Sequence, residues 1–275
     1  MRPTEAARRQ AEGHQGRQAE GGPAAFEGTV ARREQLSEHL VRIVLTGLDG
    51  FASTGVPDEW VALTVPGQFQ TRYYTVRSWR DGELVLDIVV HDEGLVTEWT
   101  QTDCVGDVVG ISAPKGSFEL PPAASWVLLV GDLTALPAIA RISESTALPV
   151  TAFVETSDGP IDGYLDGDVT WLEPPTPEES GLAELVSGLT WPAGDGYFWM
   201  AGESAQMRAI RRHLRHDLGM ASSAYDVMGY WSGTRGRQAR TVDPRPIYEA
   251  GRAAGKSDDE IWADYDAVRG GGLGG

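Results

Sequence analysis

Residues 126–144 read WVLLVGDLTALPAIARISE, and this stretch decides the fold. Trp126 to Val130 is a short, continuous apolar run, the pattern of a strand covered on both faces, as in a parallel sheet. Gly131 and Asp132 then turn the chain, and Pro137 falls in the first turn of the next element, where a helix tolerates its missing N–H. A buried strand feeding a helix through a glycine turn predicts an α/β layer.

Working outward, residues 197–219, YFWMAGESAQMRAIRRHLRHDLG, repeat the plan. Tyr197 to Ala201 is the strand, Gly202-Glu203-Ser204 the turn, and Met207, Ile210, Leu214 and Leu218 predict one helical stripe ended by Gly219. PVTAFVET (149–156), VTWLEP (169–174) and YDVMGYW (225–231) add further strands, and EPPTPEESG (173–181) reads as a loop. Upstream the texture is β. HLVRIVLTGL (39–48) and WVALTV (60–65) are short β-branched runs, and ELVLDIVVH (83–91) alternates Leu84, Leu86, Ile88 and Val90 on one face. Closely spaced glycine and aspartate turns suit a small barrel or sandwich. The first 24 residues hold almost no large apolar side chain and predict a disordered tail. KSDDEIWADYDAVR (256–269) reads as a polar helix capped by Ser257 with Glu260 three positions on, followed by a flexible glycine-rich end. The expected fold class is therefore β plus α/β: a tail over 1–24, an antiparallel β-barrel domain over 25–122, a parallel-sheet α/β domain over 123–246, and a C-terminal helix and tail over 247–275.

Composition narrows the function. With 40 acidic and 23 basic side chains the net charge is −17, a surface that repels phosphate polyanions, so neither a nucleic-acid binder nor membrane insertion is expected. Cys104 is the sole cysteine, which excludes an intrachain disulfide and a four-thiolate iron–sulfur cluster. No run of about 18 apolar residues is present and the first residues lack an apolar export core, so a cytoplasmic location is expected.

Against that acidity, TRYYTVRSWR (71–80) is unusual. On a strand Arg72, Tyr74 and Val76 point one way while Tyr73, Thr75 and Arg77 point the other. A guanidinium fork suits a pyrophosphate and an aromatic ring suits a flat heteroaromatic ligand, although a surface strand with two arginines satisfies the same pattern. The turns at 130–138 and 201–206 lie where open parallel sheets take ligands, and capping chemistry alone also accounts for their Gly, Asp and Ser residues. Neither has the G-x-G-x-x-G spacing. Arg208, Arg211, Arg212 and Arg215, with His213 and His216 among them, read mostly as a solvated helix face, and no metal site is expected.

Arg72-Tyr73-Tyr74-Thr75 resembles the Arg-x-Tyr-Thr motif of the ferredoxin-reductase superfamily, and RYYTVR resembles its siderophore-interacting branch. VVHDEGLVTEWT (89–100), LLVGDLTALPAIARI (128–142), MAGESAQMRAIRRHLR (200–215) and GYW (229–231) are similar to later segments of that branch, in order, across about residues 26–240. The resemblance implies a flavin barrel, a nicotinamide-nucleotide domain and electron flow from NADPH or NADH through FAD to a ferric siderophore. By the same resemblance, Arg72, Tyr73, Tyr74 and Thr75 hold FAD, with Tyr74 at the ring and Thr75 near N5. His91, Gly94, Thr97 and Trp99 line its adenine and pyrophosphate loop. Gly131, Asp132, Thr134 and Ala135 form the first nucleotide turn, Gly202, Glu203 and Ser204 the second, and Tyr230 and Trp231 border the flavin. Leu133 stands where the branch usually has Glu, and residues 95–96 lack its usual Pro-Ala pair.

Anionic siderophores need a basic pocket, for which Arg77, Arg80, Lys115, Arg235 and Arg237 are the candidates, Arg240 standing close behind them; TRGRQAR (234–240) reads equally as a solvated linker. Two other readings fit the same sequence. One is a flavoprotein of this fold recruited to a biosynthetic reaction; the other is a non-catalytic flavin- or siderophore-binding protein. A monomer or weak homo-oligomer is expected, with the C-terminal helix serving either self-association or closure over the nucleotide site.

Overall fold

The computed structural model describes residues 25–67, 71–90, 94–176, 179–231, 250–251, 253–254 and 256. The expected tail over 1–24 and the helix over 256–269 lie outside these residues, apart from Lys256.

The N-terminal part is a closed barrel in the order β1-β2-β5-β4-β3-β6, all neighbours antiparallel. Its strands are β1 (Phe26–Gln35), β2 (Leu40–Thr46), β3 (Trp60–Thr64), β4 (Arg72–Arg80), β5 (Glu83–Val89) and β6 (Val108–Ile111), with helix α1 (Leu95–Thr100) between β5 and β6. The alternation in β5 holds, for Leu84, Leu86 and Ile88 enter the barrel core beside Ile43, Leu45, Leu63, Val76 and Ile111. Asp81 and Gly82 have φ of 55° and 79°, the left-handed pair that a two-residue hairpin between right-twisted strands requires.

The C-terminal part is a five-stranded parallel sheet in the order β11-β10-β7-β8-β9. Its elements are β7 (Val127–Asp132), α2 (Leu136–Ser145), β8 (Val150–Glu155), β9 (Asp168–Leu172), α3 (Leu182–Gly188), β10 (Tyr197–Glu203), α4 (Ser204–Arg212) and β11 (Tyr225–Trp231). One face packs on α2 and the barrel side through Leu129, Tyr197 and Trp199; the other packs on α3 and α4 through Leu128, Phe198 and Met200. Helix α3 follows the expected loop and has only Leu182 and Val186 buried, too few positions for a readable period.

The stripe expected after β10 is interrupted. Helix α4 ends at Arg212 and passes into a π turn, His213–Asp217, in which the Leu218 N–H donates to the His213 carbonyl five residues back at 3.1 Å. The wider turn rotates the following residue off the apolar face, so Leu214 is buried while Leu218 is 41% exposed.

Barrel and sheet are joined by paired charges. Asp87, in the otherwise apolar β5, is 3% exposed; it accepts two bonds from Arg42, both 2.8 Å, and one from the Tyr164 hydroxyl at 2.5 Å. The Tyr164 ring lies under both Arg42 and Arg77, and Arg77 continues to Glu144 of α2 at 2.5 Å. Asp158 adds a second tie, accepting from the His39 N–H at 2.8 Å and from the Ser37 hydroxyl. Arg42→Met leaves the Asp87 carboxylate buried with Tyr164 alone, so it should cost about 3 kcal/mol in urea unfolding, and a second change, Asp87→Leu, should restore much of the loss.

Candidate functional site

The carboxyl edge of the parallel sheet gathers both sequence-predicted turns. In register, Ala201 of β10 pairs with Gly131 of β7, Asp132 of β7 with Glu155 of β8, and Glu203 of β10 with Trp231 of β11. Glycine is required at the first turn by space: a Cβ on Gly131 would lie 2.4 Å from the Ala135 Cβ and 3.0 Å from the Ala201 carbonyl. At Gly202 a Cβ would lie 2.8 Å from the Asp132 carboxylate.

Asp132 organises this edge. Its carboxylate accepts from the Thr134 N–H at 2.9 Å, the Thr134 hydroxyl at 2.5 Å and the Trp231 indole N–H at 2.6 Å. Burial pushes the carboxyl above the usual range, and the bonds from Thr134 and Trp231 offset part of that shift. The second turn holds the other end of Trp231, since the Ser204 hydroxyl donates to the Trp231 carbonyl at 2.7 Å. Two turns seventy residues apart in sequence thus grip one aromatic residue. Glu203 caps α4, accepting from the Ala205 and Gln206 N–H groups at 2.7 and 2.9 Å, so its carboxylate is committed to the helix start. Leu133, between Asp132 and Thr134 in the same turn, is 8% exposed and packs in the apolar cluster with α2.

Strand β4 faces this edge. Its expected alternation is observed: Val76 is in the barrel core with Tyr74 packed against it, while Thr75 and Arg77 face the sheet domain. Burial raises the Tyr74 phenol above its ordinary range, opposed by the nearby Arg72. Arg72 and Tyr73 are exposed at the start of the strand, Tyr73 by 44%. Thr75 is 5% exposed, and the Tyr230 hydroxyl of β11 lies beside it, fully buried and without a well-formed hydrogen bond. A buried phenol left in this state is costly, and burial accordingly raises its ionisation well above normal. One hydroxyl from each domain therefore meets at the seam.

The remaining predicted residues are more scattered. Gly94, φ 146°, precedes α1, and the Thr97 hydroxyl lies 3.7 Å from where a Gly94 Cβ would stand. Trp99 instead packs from α1 into the barrel core and donates its indole N–H to Asp107 at 2.8 Å, so it anchors the helix to the barrel. The guanidinium of Arg77 is engaged with Glu144 and Tyr164 in the domain joint. Arg80 ends β4 at the hairpin and is exposed, and Lys115 pairs through its backbone with Trp60. His91, Arg235, Arg237 and Arg240 lie outside the described residues. Arg211 donates to the Val227 carbonyl and His213 pairs with Asp217 at 2.9 Å, whereas Arg208, Arg212 and Arg215 are exposed, as a solvated face requires. Among the described residues no group of three His, Cys, Asp or Glu side chains could hold a metal ion. Sequence reasoning missed Glu59, Asp87, Arg141 and Tyr164. Acids set within the apolar runs around WVALTV and ELVLDIVV were the available signal, because a buried carboxylate demands a partner.

Two family models match the chain: one described as siderophore-interacting protein over residues 124–234, the other as siderophore-interacting FAD-binding domain over residues 67–118. An uncharacterized protein of Mycobacterium tuberculosis is 30% identical over 263 residues, covering 78% of this chain and 90% of that protein. The NADPH-dependent ferric-chelate reductase of Escherichia coli is 28% identical over 220 residues, covering 68% and 85%. Among solved structures, a siderophore utilization protein from T. fusca superposes with a TM-score of 0.66 at 26% identity, covering 79% of this chain and 94% of that one.

The raised ionisation of Asp132 has a sign that can be measured. Its protonated form is favoured in the fold, so its contribution is full below about pH 4, the unfolded value, and is lost as pH rises through the higher folded one. The stability difference between wild type and Asp132→Asn, followed by urea unfolding across pH, should therefore fall above about pH 4.

Proposed function

This chain belongs to the siderophore-interacting protein family, and we propose that it is a cytoplasmic, FAD-dependent ferric-siderophore reductase that draws electrons from NADPH. The carrying observation is the seam between barrel and sheet, where the Thr75 side chain and the buried Tyr230 hydroxyl stand side by side. Two hydroxyls at the seam of the two domains suit the heteroatom-rich edge of a flavin, to which each can donate. Bound FAD supplies the conversion of hydride chemistry into single-electron transfer to Fe(III), whose reduction weakens its hold on hard siderophore oxygens.

The chain's own residues have assignable tasks. Arg72, exposed at the head of β4, holds the pyrophosphate with the exposed Tyr73 beside it, and Tyr74, half-buried against the barrel core, borders the flavin ring. Thr75 and Tyr230 orient the ring edge, Gly94 and Thr97 shape the adenine side, and Trp99 supports α1 from within the barrel. Gly131, Thr134 and Ala135 open the first nucleotide turn, Gly202 and Ser204 the second, and the Asp132–Trp231 bond fixes the indole between them. NADPH as donor is supported by the similarity to the NADPH-dependent ferric-chelate reductase of Escherichia coli. Leu133, buried where the branch usually carries Glu, removes a charge from the nucleotide turn and is the feature that favours the second reading, a flavoprotein of this fold recruited to a biosynthetic reaction. Of the cations expected to meet an anionic chelate, Arg80 and Lys115 are both described and exposed.

The purified protein should take up FAD, bleach anaerobically with NADPH faster than with NADH, and regain its colour with Fe(II) release when a ferric siderophore is added. Bleaching that no ferric chelate reverses would shift the reading to a biosynthetic flavoprotein, and a protein that takes up no FAD would end it. Arg72→Met should weaken FAD binding about tenfold to a hundredfold in a fluorescence titration, the loss of a charge-assisted hydrogen bond.

A further inference from the structure

Arg141 takes no part in the site as described, yet it lies between the two halves. It stands on α2, less than two turns beyond the Gly131–Ala135 turn, and its side chain is 14% exposed. Its Nη1 donates to the Val76 carbonyl at 2.6 Å and to the Glu59 carboxylate at 3.2 Å. The Val76 N–H in turn donates to the Glu59 backbone carbonyl at 2.9 Å, which closes a ring of three interactions across β3, β4 and α2. Glu59 is fully buried and is itself fixed by the Ser53 hydroxyl and by both the N–H and hydroxyl of Thr54.

The ring sits at a weak point. The β4–β5 ladder slips between Val76 and Ser78, so Arg77 is an extra residue and the strand can bend there. Thr75 is immediately before that bulge. From α2, Arg141 holds the carbonyl on one side of it while Glu144, three residues on, holds Arg77 itself. A single helix therefore grips β4 at two successive residues, Val76 and Arg77, and begins at the turn that carries Asp132 and Thr134.

We propose that Arg141 is a positioning residue that fixes the spacing between the Thr75 hydroxyl on the barrel and the Gly131–Ala135 turn on the sheet. The inference rests on the FAD and NAD(P)H reading of those two places. Hydride transfer depends steeply on the spacing of its partners, so the expected effect of loosening the ring falls on the rate of transfer and not on the affinity for either nucleotide. A lysine offers a shorter, freely turning ammonium where the guanidinium presents a fixed plane, so it should restore part of the function.

The test compares wild type with Arg141→Lys and Arg141→Met. In the cofactor-free proteins, amide hydrogen exchange should rise in β4 and remain unchanged in β10. In the FAD-loaded proteins, FAD and NADPH affinities should stay within about twofold of wild type, while anaerobic flavin reduction slows about tenfold to a hundredfold in the methionine variant and less in the lysine variant. Unchanged reduction in both variants overturns the proposal, as does a loss of FAD affinity and melting temperature in step with the rate, which marks a purely structural contact. If the methionine variant does not fold, the lysine variant carries the same comparison. Wild-type protein that takes up no FAD overturns the underlying reading instead, and is told apart because the exchange difference in β4 would persist.

Discussion

A carboxylate buried away from water must be met by cations and donors, and in this protein Asp87 imposes that demand at the joint of the two domains. Arg42 answers from β2 and Tyr164 from the loop between β8 and β9, and the Tyr164 ring then brings Arg77 and Glu144 into the same network. Replacing such a network by apolar side chains can be neutral for stability, so its presence is better understood through geometry than through strength. A greasy seam tolerates sliding. A bidentate pair with fixed angles does not, and the site downstream consists of groups from both sides that must meet.

That meeting is visible at two places. Thr75 reaches from the barrel toward Tyr230 of the last strand, and Arg141 reaches from the sheet domain to the backbone of β4. Both contacts concern the same short segment, residues 75 to 77, where the ladder is irregular. The structure thus places an irregular strand pairing where the two domains touch and restrains it from α2, whose N-terminal turn carries Asp132. The geometry of one turn is in this way mechanically linked to the position of one hydroxyl.

The polar edge of the sheet shows the same economy of parts. Asp132 and Ser204, from different βα turns, hold the indole N–H and the backbone carbonyl of Trp231. Gly131 and Gly202 make the approach possible because any side chain there would overlap a neighbour. Glu203, which sequence reasoning set among the binding residues, has its carboxylate folded back on the start of α4, and Trp99 faces the barrel interior. Both illustrate how a motif residue can serve a site by shaping the element that presents it.

The sequence by itself determined the two domain classes, most of the strands though not β1 or β6, and the location of both turns, because hydrophobic periodicity and turn chemistry act over a few neighbouring residues. It also marked residues 71–80 as the segment to watch, and its alternation was read correctly from the two-residue period of a strand. Local pattern could not register the π turn after Arg212, which comes from a five-residue backbone hydrogen bond, nor α3, whose apolar face is only two residues long. Nor could it decide which polar groups find each other. The bonds from Arg141 to Val76, Tyr164 to Asp87 and Trp231 to Asp132 join residues 65, 77 and 99 positions apart. Those pairings exist only once barrel and sheet are docked, since burial is what compels each charge and donor to take the partner that the packed chain puts within reach.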